Sequence, residues 1–196
     1  KSRLMAPLIP GIRDTYIYGK SQEREYHEMY RSSRFAQTRR KGGWDCFRHY
    51  EILMNGCIPL FEKLKNCPNL TLTTYPKDLN DEAWDLYHNW DEDDPNCIDD
   101  YNELCEKYIH HTRKSCSASA TAESFIQNLV RINNGKPIRN ILMLSCNKGV
   151  SFSRETLWIG LKRYIDNIGG IAVEYEPIPY LYDDFDPTSD HHYYND

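Results

Sequence analysis

"SRFAQTRRKGGWDCFRHYEILMNGCIPLF", residues 33–61, changes its periodicity twice within one short stretch. SRFAQT (33–38) reads as a short strand. GWDCFRHYEILMNG (43–56) reads as a helix of about three turns, stopped by Asn55-Gly56. CIPLF (57–61) is a short apolar run of the buried-strand kind. A strand, a helix and a strand in succession predict two parallel strands joined by a crossover helix.

Working outward, the same alternation continues. DTYIYG (14–19) is a β-rich run closed by Gly19, and residues 21–33 are helical in pattern, with Tyr26, Met29 and Tyr30 on one side. TLTTYP (71–76) reads as a further strand and residues 77–90 as a helix. Helical spacing returns at 97–116, carried by Ile98, Tyr101, Leu104, Cys105 and Tyr108, and again at 117–133. RNILMLSC (139–146) is a strong buried strand, 151–167 a helix capped by Ser151 or Ser153, and GGIAVEYEP (169–177) the last strand. The expected class is α/β, a Rossmann-like parallel sheet with helices on both faces. Gly135-Lys136-Pro137 punctuates the chain, so the expected organisation is one region over 1–135 and a second α/β segment over 136–196.

Composition narrows the function. The chain has 196 residues, 27% of them charged, and a net charge of −5. Its charge is segregated. Residues 31–48 hold six basic side chains against the single acid Asp45, whereas residues 81–106 hold eleven acids and no Lys or Arg. The acidic run argues against a nucleic-acid-binding protein. No apolar run reaches the length of a membrane span, and no signal segment opens the chain. Seven cysteines at scattered positions form neither a CxxC pair nor a zinc spacing, so they read as reduced thiols in a cytoplasmic setting. Because residue 1 is Lys, the chain reads as a piece of a longer protein. No structural metal and no cofactor are expected.

The loop 38–43 leaves a strand and enters a helix, and parallel sheets bind ligands beyond the carboxyl ends of their strands. A helix start offers unpaired N–H groups and a positive dipole end, glycines allow close backbone approach, and Arg39, Arg40 and Lys41 add full charge. Together these suit a phosphate, and a diphosphate in particular. Asp45 favours the helix start but opposes an anion. Arg48 and Glu51 lie three residues apart on one helix face. Arg48 can reach a phosphate as a fork, and Glu51, a turn further on, can accept two ribose hydroxyls. Read singly, Gly42-Gly43 is a turn and Arg48 with Glu51 an ordinary surface pair; the joint pattern points to a nucleotide. The spacing is neither that of a P-loop nor that of a GxGxxG fingerprint.

Residues 32–79, with KGGWDC, RHYEIL and GCIP in succession, resemble the nucleotide-sugar-binding half of GT-B glycosyltransferases of the exostosin-like and viral type. A looser similarity runs to fucosyltransferases. The resemblance implies sugar transfer from a nucleoside diphosphate sugar to a glycan, glycoprotein or other hydroxyl acceptor, without a metal. It implies that Lys41 and Arg48 hold the diphosphate and Glu51 the ribose. It further implies that Gly56-Cys57-Ile58-Pro59 forms the next strand and that Tyr75-Pro76-Lys77 ends a neighbouring one near the base or sugar. The candidate nucleotide-sugar site is therefore Thr38, Arg40, Lys41, Gly42, Gly43, Arg48, Glu51 and Tyr75, with no catalytic residue assigned. Residues 139–182 resemble the acceptor-side half of the same superfamily, placed after the nucleotide half rather than before it.

Two alternatives stand beside this reading. Asp91-Glu92-Asp93 could hold a metal in a GT-A transferase, although its flanks read as helix and loop. A non-catalytic sugar- or nucleotide-binding module would keep the same fold without turnover.

Overall fold

The computed structural model describes residues 1–19, 21–145, 149–182 and 184. The chain divides into two compact units, Lys1–Cys116 and Ser117–Asp196. The boundary falls ahead of the expected one at 135, because the helix of residues 118–132 packs against a helix of the second unit.

The first unit follows the order β1 (Arg3–Met5), α1 (Glu23–Arg31), β2 (Ser33–Thr38), α2 (Phe47–Met54), β3 (Ile58–Phe61), α3 (Leu79–His88) and α4 (Pro95–His111). Its three strands are parallel in the order β1-β2-β3, with Met5 opposite Phe35 and Phe35 opposite Ile58. The two faces of the sheet are covered by different helices. Ala36 packs with Met29 and Tyr30 of α1, Ile52 of α2, and Ala6 and Leu8. Phe35 turns the other way, edge-on to Tyr87 and Trp90 beside α3 and to Tyr101 of α4. Alternation along one strand thus fills two cores.

Three local expectations change. Residues 14–19 form no strand. The chain instead makes a tight turn at Arg13–Thr15, closed by the Thr15 hydroxyl, which donates to the Ile12 carbonyl (2.7 Å) and accepts from the Ile9 N–H (3.0 Å). The strand before α1 is the unforeseen β1. Residues 71–76 are also not a strand. Leu72 adopts a left-handed φ of 53°, and the Lys77 ammonium draws the chain into turns by donating to the Thr71 carbonyl. Finally, α2 begins at Phe47 rather than at Gly43. Cys46 before it is extended (φ −154°, ψ 152°), and Trp44 stacks on Phe61 at 6.1 Å. Docking that indole draws the approach to α2 out of helical geometry, and glycines favour no helix there.

The carboxyl end of β3 is closed off by α3. The Asn80 side chain accepts from the Phe61 N–H (2.9 Å) and donates to the Phe61 carbonyl (3.3 Å), and the Trp84 indole donates to the same carbonyl. Asp91-Glu92-Asp93 lies in the loop between α3 and α4, with the Asp93 N–H donating to the Asp91 carboxylate (3.0 Å). Asp94 then caps α4 by accepting from the Asn96 N–H at 2.9 Å.

The second unit holds α5 (Ala118–Ile132), β4 (Asn140–Leu144), α6 (Phe152–Asn167) and β5 (Ile171–Tyr175). Its two strands are parallel, with Leu142 opposite Val173. Ile141, Met143 and Ala172 pack on a core of Ala122, Ile126, Trp158, Leu161 and Ile165. Gly160 permits the close approach of α5 to α6, because a Cβ there would stand 2.0 Å from the Ala118 carbonyl oxygen. β4 was expected to be buried on both sides. It is not: Leu142, Leu144, Ile171, Val173 and Tyr175 all remain exposed on the opposite face. The architecture as a whole is α/β with small parallel sheets. Among the described residues, no helix is long and apolar enough to cross a membrane.

Candidate anion site at the ends of β1 and β2

The loops that follow β1 and β2 meet beyond the carboxyl ends of these two adjacent strands. The first loop brings Gly11 and Tyr16, the second brings Lys41, and the first turn of α2 brings Arg48. These groups gather around the Tyr16 side chain, two of them on its hydroxyl oxygen. It accepts from the Gly11 N–H at 3.2 Å and from Arg48 Nη1 at 3.2 Å. The Lys41 ammonium lies 4.9 Å from the Tyr16 ring centroid and the Arg48 guanidinium 5.3 Å from it. Partial burial works to raise the Tyr16 phenol, but Lys41, the Gly11 N–H and Arg48 outweigh it and lower the phenol to about 8. Gly11 has a φ of 86°, and the Arg39 guanidinium lies where a side chain at Gly11 would stand.

Behind this point the charge is ordered by tyrosines. Glu51 does not turn toward Arg48; its Oε2 accepts from the Tyr26 hydroxyl at 2.8 Å. Tyr26 and Tyr30 meet edge to face at 5.1 Å. Burial, aided by the Glu51 carboxylate, pushes the Tyr26 phenol up to about 12. Among the described residues, the buried Arg48 Nε has no hydrogen-bond partner.

The candidate residues divide on this evidence. Lys41, Arg48 and Glu51 lie around one surface region, Arg48 on Tyr16 and Glu51 one helical turn further along α2. Arg40 is spent on Trp44, with its guanidinium 5.5 Å from that ring. Gly42 and Gly43 are exposed, take no left-handed φ and have open space beside them; a Cβ at Gly42 would meet nothing within 4 Å. Thr38 and Tyr75 are not brought to this region. Thr38 is buried at the end of β2, with Oγ1 2.8 Å from His49 Nδ1. Tyr75 is buried in the core, edge-on to His49 and to Phe61 at 5.8 Å each. Burial first, with the neighbouring Tyr108 and Tyr50, drives the Tyr75 phenol well above its usual range.

His49 is a structural residue. It is fully buried, and its ring bridges Thr38 and the Trp44 carbonyl, the latter at 2.9 Å from Nε2. A carbonyl only accepts, so Nε2 carries the proton and Nδ1 accepts from Thr38. The start of α2 is likewise used internally. The Arg48 and His49 N–H groups act on the Cys46 thiol, which burial nonetheless keeps above its ordinary value. The anion-facing groups are therefore two cationic side chains and a distant N–H rather than the helix start itself.

Sequence reasoning missed Gly11, Tyr16 and Tyr26. Pro10-Gly11 is a visible turn signal, but nothing in local spacing links it to a loop some thirty positions away. Two other depressions of about 400 Å³ each lie between α3 and α4 and beside Phe61, Lys63 and Trp84. Among the described residues, no three His, Cys, Asp or Glu side chains come close enough to hold a metal ion. No protein-family model matches the chain, and comparison with curated proteins and with solved structures gives no match.

Proposed function

We propose that this protein is a glycosyltransferase that takes its sugar from a nucleoside diphosphate donor and passes it to a hydroxyl of a glycan or other acceptor. In this reading β1 to β3, with α1 and α2, form the nucleotide-binding, Rossmann-like half of a GT-B enzyme. Lys41 and Arg48 hold the diphosphate, and Glu51 accepts the ribose hydroxyls.

One observation carries the reading. Two cations from separate elements and one backbone N–H converge on the Tyr16 side chain beyond the carboxyl ends of adjacent parallel strands, with a carboxylate one helical turn away. That is the charge order of a diphosphate followed by a ribose. The resemblance of residues 32–79 to nucleotide-sugar-binding halves supports the same assignment.

The testing experiment is a thermal-shift screen against UDP, GDP and CMP and their sugar conjugates. A nucleoside diphosphate at one hundred times its dissociation constant adds about 2.7 kcal/mol of stability. Nucleoside diphosphates are expected to raise the melting temperature more than monophosphates do. No rise with any diphosphate at millimolar concentration would sink the reading.

A further inference from the structure

The Tyr16 hydroxyl presents an unusual balance of donors and acceptors. Its oxygen faces the Gly11 N–H, Arg48 Nη1 and the Lys41 ammonium. A phenol oxygen offers two lone pairs and one proton. Here both lone pairs are engaged, by the Gly11 N–H and Arg48 Nη1, with the Lys41 ammonium beside the ring, while among the described residues nothing accepts the proton. An uncommitted O–H, polarised by two cations, is a strong donor aimed at whatever anion those cations attract. The residue is 39% exposed, so a ligand can reach it. The cations also retain donors to share. Lys41 carries three N–H bonds and Arg48 five, of which Tyr16 engages one at Nη1.

We propose that Tyr16 is part of the diphosphate-binding site, donating its hydroxyl proton as a hydrogen bond to a phosphate oxygen held by Lys41 and Arg48. This rests on the nucleoside-diphosphate reading and adds to it a neutral donor from the loop after β1. The chemistry recognised is a diphosphate dianion or trianion, whichever base or sugar it carries.

The arrangement makes binding sensitive to pH in a definite direction. The charged groups around the hydroxyl are Lys41 and Arg48, with Arg39 against Gly11, Arg13 and Asp14 in the same turn, and Glu51, Tyr26 and Tyr30 behind Arg48. Lys41 and Arg48 bring the phenol to about 8. Below that value the proton is present and is donated. Above it a phenolate occupies the same place, has nothing to donate and repels the ligand. Affinity therefore falls as pH rises, by about tenfold per pH unit once the phenol ionises.

The test compares the full chain with its Tyr16→Phe variant, using inorganic pyrophosphate and UDP as probes in titration calorimetry at about pH 7 and about pH 9. The expected result is roughly a tenfold or greater loss of affinity in Tyr16→Phe at the lower pH, the size of one hydrogen bond to a charged group. The wild-type protein is expected to lose affinity at the higher pH more steeply than the variant. Ultraviolet titration supplies a readout that needs no ligand: one phenol ionising near 8, absent from Tyr16→Phe and shifted upward in Lys41→Met. Equal affinities and equal pH slopes would overturn the proposal while leaving the diphosphate reading in place. Tighter binding by Tyr16→Phe would mean that the hydroxyl competes for the cations, and would also overturn it. Failure of the wild-type protein to bind either probe would remove both readings together.

Discussion

Arg48 Nη1 donates to the Tyr16 hydroxyl at 3.2 Å, although the two residues stand 32 positions apart in the chain. The bond ties the loop after β1 to the helix that leads into β3. Glu51, on the same helix, is held instead by Tyr26 at 2.8 Å. The two charged side chains of α2 therefore bond different tyrosines, Glu51 to Tyr26 and Arg48 to Tyr16.

On the proposed reading, Arg48→Ala removes a cation from the point where a diphosphate would gain charge as the sugar departs. Turnover and donor affinity are both expected to fall, with a loss of roughly 2–4 kcal/mol in transition-state stabilisation, comparable to losing one oxyanion donor. Glu51→Gln keeps an acceptor for Tyr26 but loses the charge that, on the same reading, serves the ribose. It is expected to raise KM for the donor and to leave kcat nearly unchanged, because the ribose does not alter during reaction. Steady-state kinetics of the two variants, each shown to fold by its melting curve, check the distinction. Equal and small effects would make α2 a scaffold.

Gly42→Ala separates a turn from a ligand-facing backbone. The added methyl meets no atom within 4 Å, and Gly42 holds no left-handed conformation. Stability is expected to change by no more than about 0.5 kcal/mol. If the 38–43 backbone faces the phosphate, as the proposed reading has it, affinity for a nucleoside diphosphate is expected to drop severalfold. Denaturant titration and a binding isotherm on the same preparation measure both. Unchanged affinity would mean that the Gly42-Gly43 pair only turns the chain.

His49 makes the protein sensitive to mild acid. Burial holds its imidazole below the usual value, against the Trp44 carbonyl and Asp45, which favour the cation. The unfolded chain therefore binds more protons than the folded one once pH drops below about 6.5. The His49 contribution is complete above that value and declines as pH falls toward the folded-state value, by at most about 1.4 kcal/mol per pH unit. Urea midpoints at about pH 7 and about pH 5.5 are expected to differ more in the wild-type protein than in His49→Gln. Identical slopes would show that the imidazole titrates freely in the native state.

Gly160→Ala places a methyl 2.0 Å from the Ala118 carbonyl oxygen and 2.9 Å from the Ala122 Cβ. A backbone carbonyl cannot swing aside, so α5 and α6 must separate. The expected cost is roughly 1–3 kcal/mol. Hydrogen exchange should speed up in α5 and α6 while β2 and β3 keep their protection. A uniform change across both units, or none, would contradict the close helix contact.

Much of the fold was legible because it is written in adjacent residues. SRFAQT and CIPLF form β2 and β3 where their apolar periods place them, and Asn55-Gly56 ends α2, with Gly56 at a φ of 64°. The failures have a common cause. TLTTYP has the composition of a strand, but the Lys77 ammonium and the left-handed Leu72 fold it into turns. β1, at three residues, is too short to show a period. Helix spacing at Phe47 was visible, but the stacking of Trp44 on Phe61 that delays the helix start was not. Of the candidate site, Lys41, Arg48 and Glu51 were readable from their shared segment. Tyr16 and Gly11 were not, because their role depends on two loops meeting across a sheet. Tyr75 had the composition of a ligand-facing aromatic and the burial of a core residue.

The Asn80 amide at Phe61 has a consequence for association between molecules. A parallel sheet ending in an open strand invites further strands, from the same chain or from another, to add to its row of N–H and carbonyl groups. Here both Phe61 backbone groups are already taken by one side chain of α3, and Pro59 in the same strand has no N–H to offer. An incoming peptide would have to displace α3 from Phe61 before it could extend the ladder there. The first unit thus resists edge-to-edge polymerisation at β3 through a helix and a proline, with no need of surface charge.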